Sequence, residues 1–175
     1  DYEFNDRSGM STSSRKKAIE LWQADLPEGD KEKLARTLFC FENPPGTKYV
    51  SGSQDSLGIV LPGLNRLYYN GDYWPESIES ITDRDLLGWI EERLWLVPLS
   101  PRHAEYDVLA DTHINESDAQ RLSQAAEACW QALKAKDVIA WGKAASDSFE
   151  AQVAMFPNMI VSEVSTVLET YKSKV

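Results

Sequence analysis

The chain has 175 residues, 42% of them apolar and 26% charged, so it is long enough for one sizeable core or two small ones and too apolar to remain disordered. A net charge of −10 argues against a nucleic-acid-binding surface, because that role needs a basic face to displace counterions. No run approaches the roughly 18 apolar residues of a membrane span, and the opening DYEFNDRSG lacks the basic and apolar regions of a signal peptide, so the expected location is cytoplasmic, with no membrane partner.

Residues 1–7 alternate weakly around Tyr2 and Phe4, as the end of a strand does, and run into SGMSTSSRKKA, Ser8 to Ala18. Here Gly9 permits unusual backbone angles, and Ser11, Thr12, Ser13 and Ser14 supply hydroxyls and closely spaced amides. The positive end of a following helix favours an anion such as phosphate. The same composition also suits a polar lead-in that only caps a helix. That helix is expected from about Ser13 to Asp25, with Ala18, Ile19, Leu21 and Trp22 on its apolar face, and LPEGD stops it.

A second helix is expected from about Asp30 to Glu42, with Leu34, Leu38 and Phe41 on one stripe and Ala35 and Phe39 beside it, ended by Asn43-Pro44-Pro45-Gly46. The segment TKYVSGSQDSLGIVLPGLNRLYY, punctuated by Gly52, Gly58 and Gly63, reads as a polar site loop before an apolar run. Asn65 to Tyr69 and roughly Tyr73 to Ile81 read as extended pieces around a tight Asn70-Gly71 turn. Thr82 and Asp83 can cap a short helix carrying Leu86, Leu87, Trp89 and Ile90. Leu94 to Leu99 reads as a short strand.

Beyond Asn115, an expected N-cap, three helices follow. They are marked by Leu122, Ala126, Cys129 and Leu133, then by Val138, Trp141, Ala145, Phe149 and Gln152, then by Val161, Val164, Leu168 and Tyr171. Cys40 and Cys129 sit in apolar helical patterns and read as small core residues. His103 and His113 have no second ligand at metal-like spacing and read as surface or loop residues. No repeat or low-complexity linker is present, which places a lobe boundary near Ile81 to Arg93 without a flexible hinge.

Several side chains have two readings. Arg15, Lys16 and Lys17, with Arg66 and Arg102, could form a patch for an anionic substrate, or the triplet could be a solvated helix face. Trp74, next to Pro75, suits either core packing or stacking on a sugar ring. Glu42, in the last turn of its helix, faces the negative end of the dipole at a cost of about 0.3–1 kcal/mol, so it needs either a partner or full solvation.

The stretches SGMSTSSRKKA and GSQDSLGIVLPGLNRLYY together resemble the GHMP kinase superfamily, small-molecule kinases that include galactokinase, mevalonate kinase and heptose-phosphate kinases; the likeness is to the sugar-kinase branch. In that family a GLGSSSA signature makes the phosphate-binding loop and helix start, and it lines up with Gly9, Met10, Ser11, Thr12, Ser13 and Ser14. The resemblance implies that these residues bind ATP phosphates and that Thr12 or Ser13, with Glu42, holds Mg²⁺. It implies that Asp55, in the Gln54-Asp55 pair, is the catalytic base. Gln54 and, after the LWLVPLSPR stretch, Arg102 then lie near the acceptor.

The fold so implied is α+β, a GHMP-kinase-like two-lobe arrangement with a mostly helical C-terminal half. Residues 1–81 would be the remnant of the phosphate-binding lobe and 82–175 part of the second lobe. The chain departs from the family at Ser11, in place of a glycine, at Arg15, in place of a small residue, and at Ser56, where glutamine or asparagine is common. The family's first signature and glycine-rich third signature are absent. The chain therefore reads as an internal fragment cut at both ends, with little activity of its own and an unpaired sheet edge that promotes self-association. The expected function is ATP-dependent phosphorylation of a sugar or sugar-phosphate hydroxyl. The alternatives are a kinase-derived sugar- or nucleotide-binding or interaction module without catalysis, and an unrelated α+β domain with a polar tail.

Overall fold

A computed structural model describes residues 11–23, 25–95, 97 and 111–171. The first helix, α1 (Thr12–Trp22), begins at Ser11, which adopts the left-handed conformation at φ 55° and ψ 34° and makes no side-chain cap. Asp30 caps α2 (Lys31–Glu42) by accepting the Lys33 amide at 3.2 Å, and Asn43 followed by two prolines ends it.

The third helix, α3 (Ser53–Val60), replaces the glycine-punctuated loop expected around Gln54-Asp55. Its buried positions are Ser53, Ser56, Leu57 and Val60, an i, i+3, i+4, i+7 stripe. Ser56 Oγ donates to the Ser53 carbonyl at 2.9 Å, so its hydroxyl is satisfied without solvent.

Strands β1 (Leu64–Tyr68) and β2 (Ser77–Ile81) pair antiparallel, Leu64 opposite Ile81 and Tyr68 opposite Ser77. The hairpin is as expected, but its connection is the long loop 69–76 rather than a tight Asn70-Gly71 turn. The pair Leu67 and Ile78 packs on the core, while Arg66 and Glu79 form a cross-strand ion pair at 3.8 Å. Ala35, Leu38, Leu57 and Val60 form the centre of this core, covered by Ala18, Leu21 and Trp22 of α1 and by Trp74. Phe41, expected on the buried stripe, is exposed, and so is Cys40. The helical phase set by Ala35 and Leu38 turns Cys40 outward and leaves Phe41 at the edge of the buried face.

Helix α4 (Arg84–Glu91) is capped by Asp83, which accepts the Leu86 amide at 2.8 Å. Leu94, Trp95 and Val97 are not in a strand, and the rest of the strand expected over Leu94 to Leu99 lies outside the described residues. Asn115 caps α5 (Glu116–Ala135), accepting from the Asp118 amide at 2.9 Å while its own amide donates to Asp118 Oδ2 at 2.7 Å. That second bond, helped by Arg121, holds the Asp118 carboxyl below its ordinary pKa.

Lys136 in the left-handed conformation ends α5, and Asp137 starts α6 (Val138–Met155) by accepting from the Ile139 and Ala140 amides. So short a connection makes α5 and α6 an antiparallel hairpin, and Arg121 near the start of α5 lies 3.9 Å from Glu150 near the end of α6. Ala125, Ala132, Ala144 and Ala151 are buried, with Trp130, Leu133 and Met155. The buried face runs through Ala125 and Ala144, one residue from the expected Ala126 and Ala145, which are exposed. Burial pushes the thiol of the partly buried Cys129 up. A 3₁₀ turn (Pro157–Met159) leads to α7 (Ser162–Tyr171), which buries no residue fully.

The described residues thus hold seven α-helices, one 3₁₀ turn and a two-stranded sheet, a mixed and mostly helical architecture compatible with the α+β class. Contacts group the chain into two units, residues 1–87 and 88–175. No helix among the described residues is long and apolar enough to cross a membrane.

Two glycines test the α3–β1 region with opposite signs. Gly58 lies within α3 facing open space, so Gly58→Ala should stabilise the fold by about 0.5–1 kcal/mol. Gly63, at φ +78° with the Ile81 carbonyl where a Cβ would stand, should lose roughly 1–3 kcal/mol on replacement by alanine. Urea denaturation reads both; destabilisation by Gly58→Ala would contradict the helical assignment.

Candidate functional site

The first turn of α1 carries three hydroxyls that differ in direction. Thr12 and Ser14 are buried and Ser13 is exposed, because successive residues turn by about 100° around a helix. Ser14 Oγ lies 2.8 Å from Glu42 Oε1 and 2.9 Å from Oε2, so its single proton is shared between both carboxylate oxygens. Glu42 is the last residue of α2 and is half-buried. This contact answers the electrostatic question raised by its position. The carboxylate sits at the negative end of α2 but reaches the first turn of α1, where amide groups without intrahelical partners give a positive field.

The hydroxyl that meets Glu42 therefore belongs to Ser14, whereas Thr12 and Ser13 are the residues the family resemblance pairs with the glutamate. Lys17, one turn further along α1, lies over the Phe41 ring at 5.4 Å from its centroid and bonds Glu20 at 2.7 Å. Arg15 and Lys16 are exposed. Arg66 belongs to the hairpin, where it faces Glu79 and lies over Tyr68. Gly9 and Arg102 lie outside the described residues.

Next to Glu42, Asn43 bonds the segment that enters α3, the helix carrying Asp55. Asn43 Oδ1 accepts the Ser51 amide at 2.7 Å and Asn43 Nδ2 lies 3.4 Å from the Ser51 carbonyl, which fixes the approach to α3. Asp55 is the third residue of α3, half-buried in its first turn, where the dipole favours a negative charge. Among the described residues its carboxylate has no hydrogen-bond or ion-pair partner, so both oxygens are available to a ligand, and it makes no bond to Ser14 or Glu42. Gln54 is exposed, and its amide folds over Gly52 into the space that a Cβ there would fill.

Residues that sequence reasoning missed secure this region. Ser53, fully buried, donates to the Tyr73 carbonyl at 2.6 Å and pairs with the Tyr69 hydroxyl at 2.9 Å. The start of α3 is thereby fastened to the hairpin loop. Trp74 packs inward: the Arg36 guanidinium lies over its ring at 4.4 Å from the centroid and Phe39 meets it edge-on at 5.8 Å. No local sequence signal announces the Ser53 contacts, since serine before a helix reads as a cap.

Chemically, the arrangement offers an anion-attracting helix start, an oriented carboxylate beside it and a second carboxylate with open oxygens. Among the described residues no three His, Cys, Asp or Glu side chains converge as a metal cluster. A cation at Glu42 would thus take one protein carboxylate and complete its shell from phosphate oxygens and water, a coordination that Mg²⁺ accepts. Comparison of the chain with protein families, curated proteins and solved structures finds no match in any of the three.

The Ser14–Glu42 contact can be measured by a double-mutant cycle. Ser14→Ala and Glu42→Gln should each destabilise the fold, with a coupling energy of about 1–2 kcal/mol in chemical denaturation. Strictly additive losses would mean that the hydroxyl and the carboxylate do not act as a pair.

Proposed function

We propose that this chain carries the phosphate- and magnesium-holding part, and the catalytic carboxylate, of an ATP-dependent kinase that phosphorylates a hydroxyl of a sugar or sugar phosphate. The observation that carries the reading is the bond from Ser14 to both oxygens of Glu42. It sets a fixed carboxylate at the start of a hydroxyl-rich helix, a juxtaposition suited to a Mg²⁺-nucleotide phosphate.

Phosphoryl transfer asks a protein to hold the γ-phosphate, neutralise its charge and align the acceptor. The amides at the start of α1 and the exposed Ser13 hydroxyl suit phosphate oxygens, Glu42 suits Mg²⁺, and the metal would supply charge neutralisation when bound. Asp55 would accept the proton of the attacking hydroxyl as its oxygen bonds to the γ-phosphorus and the bond from that phosphorus to the bridging oxygen breaks, releasing ADP; α3 supports that carboxylate on a regular helix rather than a loop. The resemblance to GHMP kinases supports the same roles.

A second reading is a sugar- or nucleotide-binding module without catalysis. It is favoured by the engagement of Glu42 with Ser14, which already gives the carboxylate a structural partner.

Phosphate transfer from ATP to a panel of sugars and sugar phosphates, with Mg²⁺, separates the two. On the kinase reading Asp55→Asn, made in the intact protein, lowers turnover by roughly 100-fold or more with an unchanged melting temperature. An Asp55→Asn protein as fast as its parent removes the catalytic assignment. Binding of Mg²⁺-ATP and sugar by the intact protein without any phosphorylated product selects the second reading.

A further inference from the structure

The loop between the two strands, residues 69–76, is longer than a hairpin needs and is held at several points. The Glu76 amide donates to the Tyr68 carbonyl at 2.7 Å, and the Asp72 amide to Asn70 Oδ1 at 3.3 Å. Pro75 is buried and Trp74 packs under Arg36 and against Phe39. The fully buried Ser53 holds the loop from α3. Its one proton goes to the Tyr73 carbonyl, so the Tyr69 hydroxyl must be the donor in the second bond. Tyr69 oxygen keeps lone pairs for another donor.

Such anchoring would be expected to bury the aromatic side chains. Instead Tyr73 is 64% exposed and Tyr69 41% exposed, and the Tyr73 hydroxyl has no partner among the described residues. Aromatic rings held on a fixed backbone give up little conformational entropy when they bind. Polar residues are close in the chain: Asn70 and Asp72 in the same loop, and Gln54 next to Ser53 on α3.

We propose that this loop is a binding subsite for a neutral pyranose, with Tyr73 as its stacking platform and Tyr69 as a hydroxyl acceptor positioned by Ser53. A pyranose has an apolar C–H face rimmed by hydroxyls, which suits an exposed tyrosine ring on a loop that also carries Asn70 and Asp72. The charge of the loop selects between a free sugar and a sugar phosphate. Residues 69–76 contain Asp72 and Glu76 and no lysine or arginine, and Arg36, packed on Trp74, has Glu32 3.6 Å away. A phosphate group would be repelled there. As the acceptor subsite, the loop deepens the kinase reading and rests on it, because Ser53 fastens it to the helix that carries Asp55; as a sugar site it stands alone.

The test measures binding without nucleotide, by calorimetry and saturation-transfer NMR, using methyl β-galactopyranoside, methyl β-glucopyranoside and methyl α-mannopyranoside, with glucose 1-phosphate as the charged comparison. At least one neutral glycoside should bind, more tightly than the phosphate. Tyr73→Ala should weaken it about tenfold, equivalent to about 1.4 kcal/mol, with an unchanged melting temperature. Tyr69→Phe, which keeps the ring, should weaken it less. Binding of none of the three glycosides, equal affinity in Tyr73→Ala, or tighter binding of the phosphate overturns the proposal. Glycoside binding that depends on Tyr73, with no phosphate transfer to any acceptor by the intact protein, upholds the subsite and overturns the kinase reading alone.

Discussion

One proton shared between Ser14 and the two oxygens of Glu42 ties the start of α1 to the end of α2, and much of the first unit depends on that tie. Without it, a half-buried carboxylate would stand at the negative end of its own helix with no compensating donor from Ser14. With it, the positive start of one helix offsets the negative end of another, and Glu42 acquires a fixed direction. The next residue, Asn43, then grips Ser51 and sets the entry into α3. Three helix ends are thereby ordered by two adjacent side chains.

Around α3 the same economy recurs. Its buried face is half serine, and each of those hydroxyls is satisfied inside the protein: Ser56 by its own helix, Ser53 by the hairpin loop. Burying a hydroxyl with a partner costs little, whereas burying it alone costs about 1–3 kcal/mol, so the contacts of Ser53 specify where the loop must lie. The loop in turn buries Pro75 and packs the half-buried Trp74 against the core while presenting Tyr73. A helix start with one carboxylate fixed beside it, and an aromatic loop fastened to the helix that carries a second, is the physical basis of the sugar-kinase proposal.

Much of the helical framework was legible. Asp30, Asp83 and Asn115 are short polar residues placed just before an apolar period, and each does cap the expected helix. α3 was not legible as a helix, because two of its four buried positions are serines and Gly58 interrupts it, so hydrophobic periodicity had little to count. The hairpin was legible from its strands, but the loop length was set by the packing of Trp74 and Pro75, a tertiary demand that no turn dipeptide encodes. On α5 and α6 the buried face is lined by alanines, whose weak signal let the stripe be placed one residue off. In the candidate site, Glu42 stood out by its unfavourable position in the dipole. Which hydroxyl it meets was not legible, since four consecutive hydroxyl residues differ only in helical phase.

The central claim is that the junction of Ser14 and Glu42 is where a metal-bound nucleotide phosphate is held. Nitrogen-15 NMR with Mn²⁺ and ADP, the paramagnetic ion standing in for Mg²⁺, tests it most directly. The account predicts that the amides of Thr12, Ser13, Ser14 and Glu42 broaden selectively when both Mn²⁺ and ADP are present, and that Glu42→Gln abolishes the effect. Broadening that is absent from these residues, or confined to α5 and α6, would contradict it.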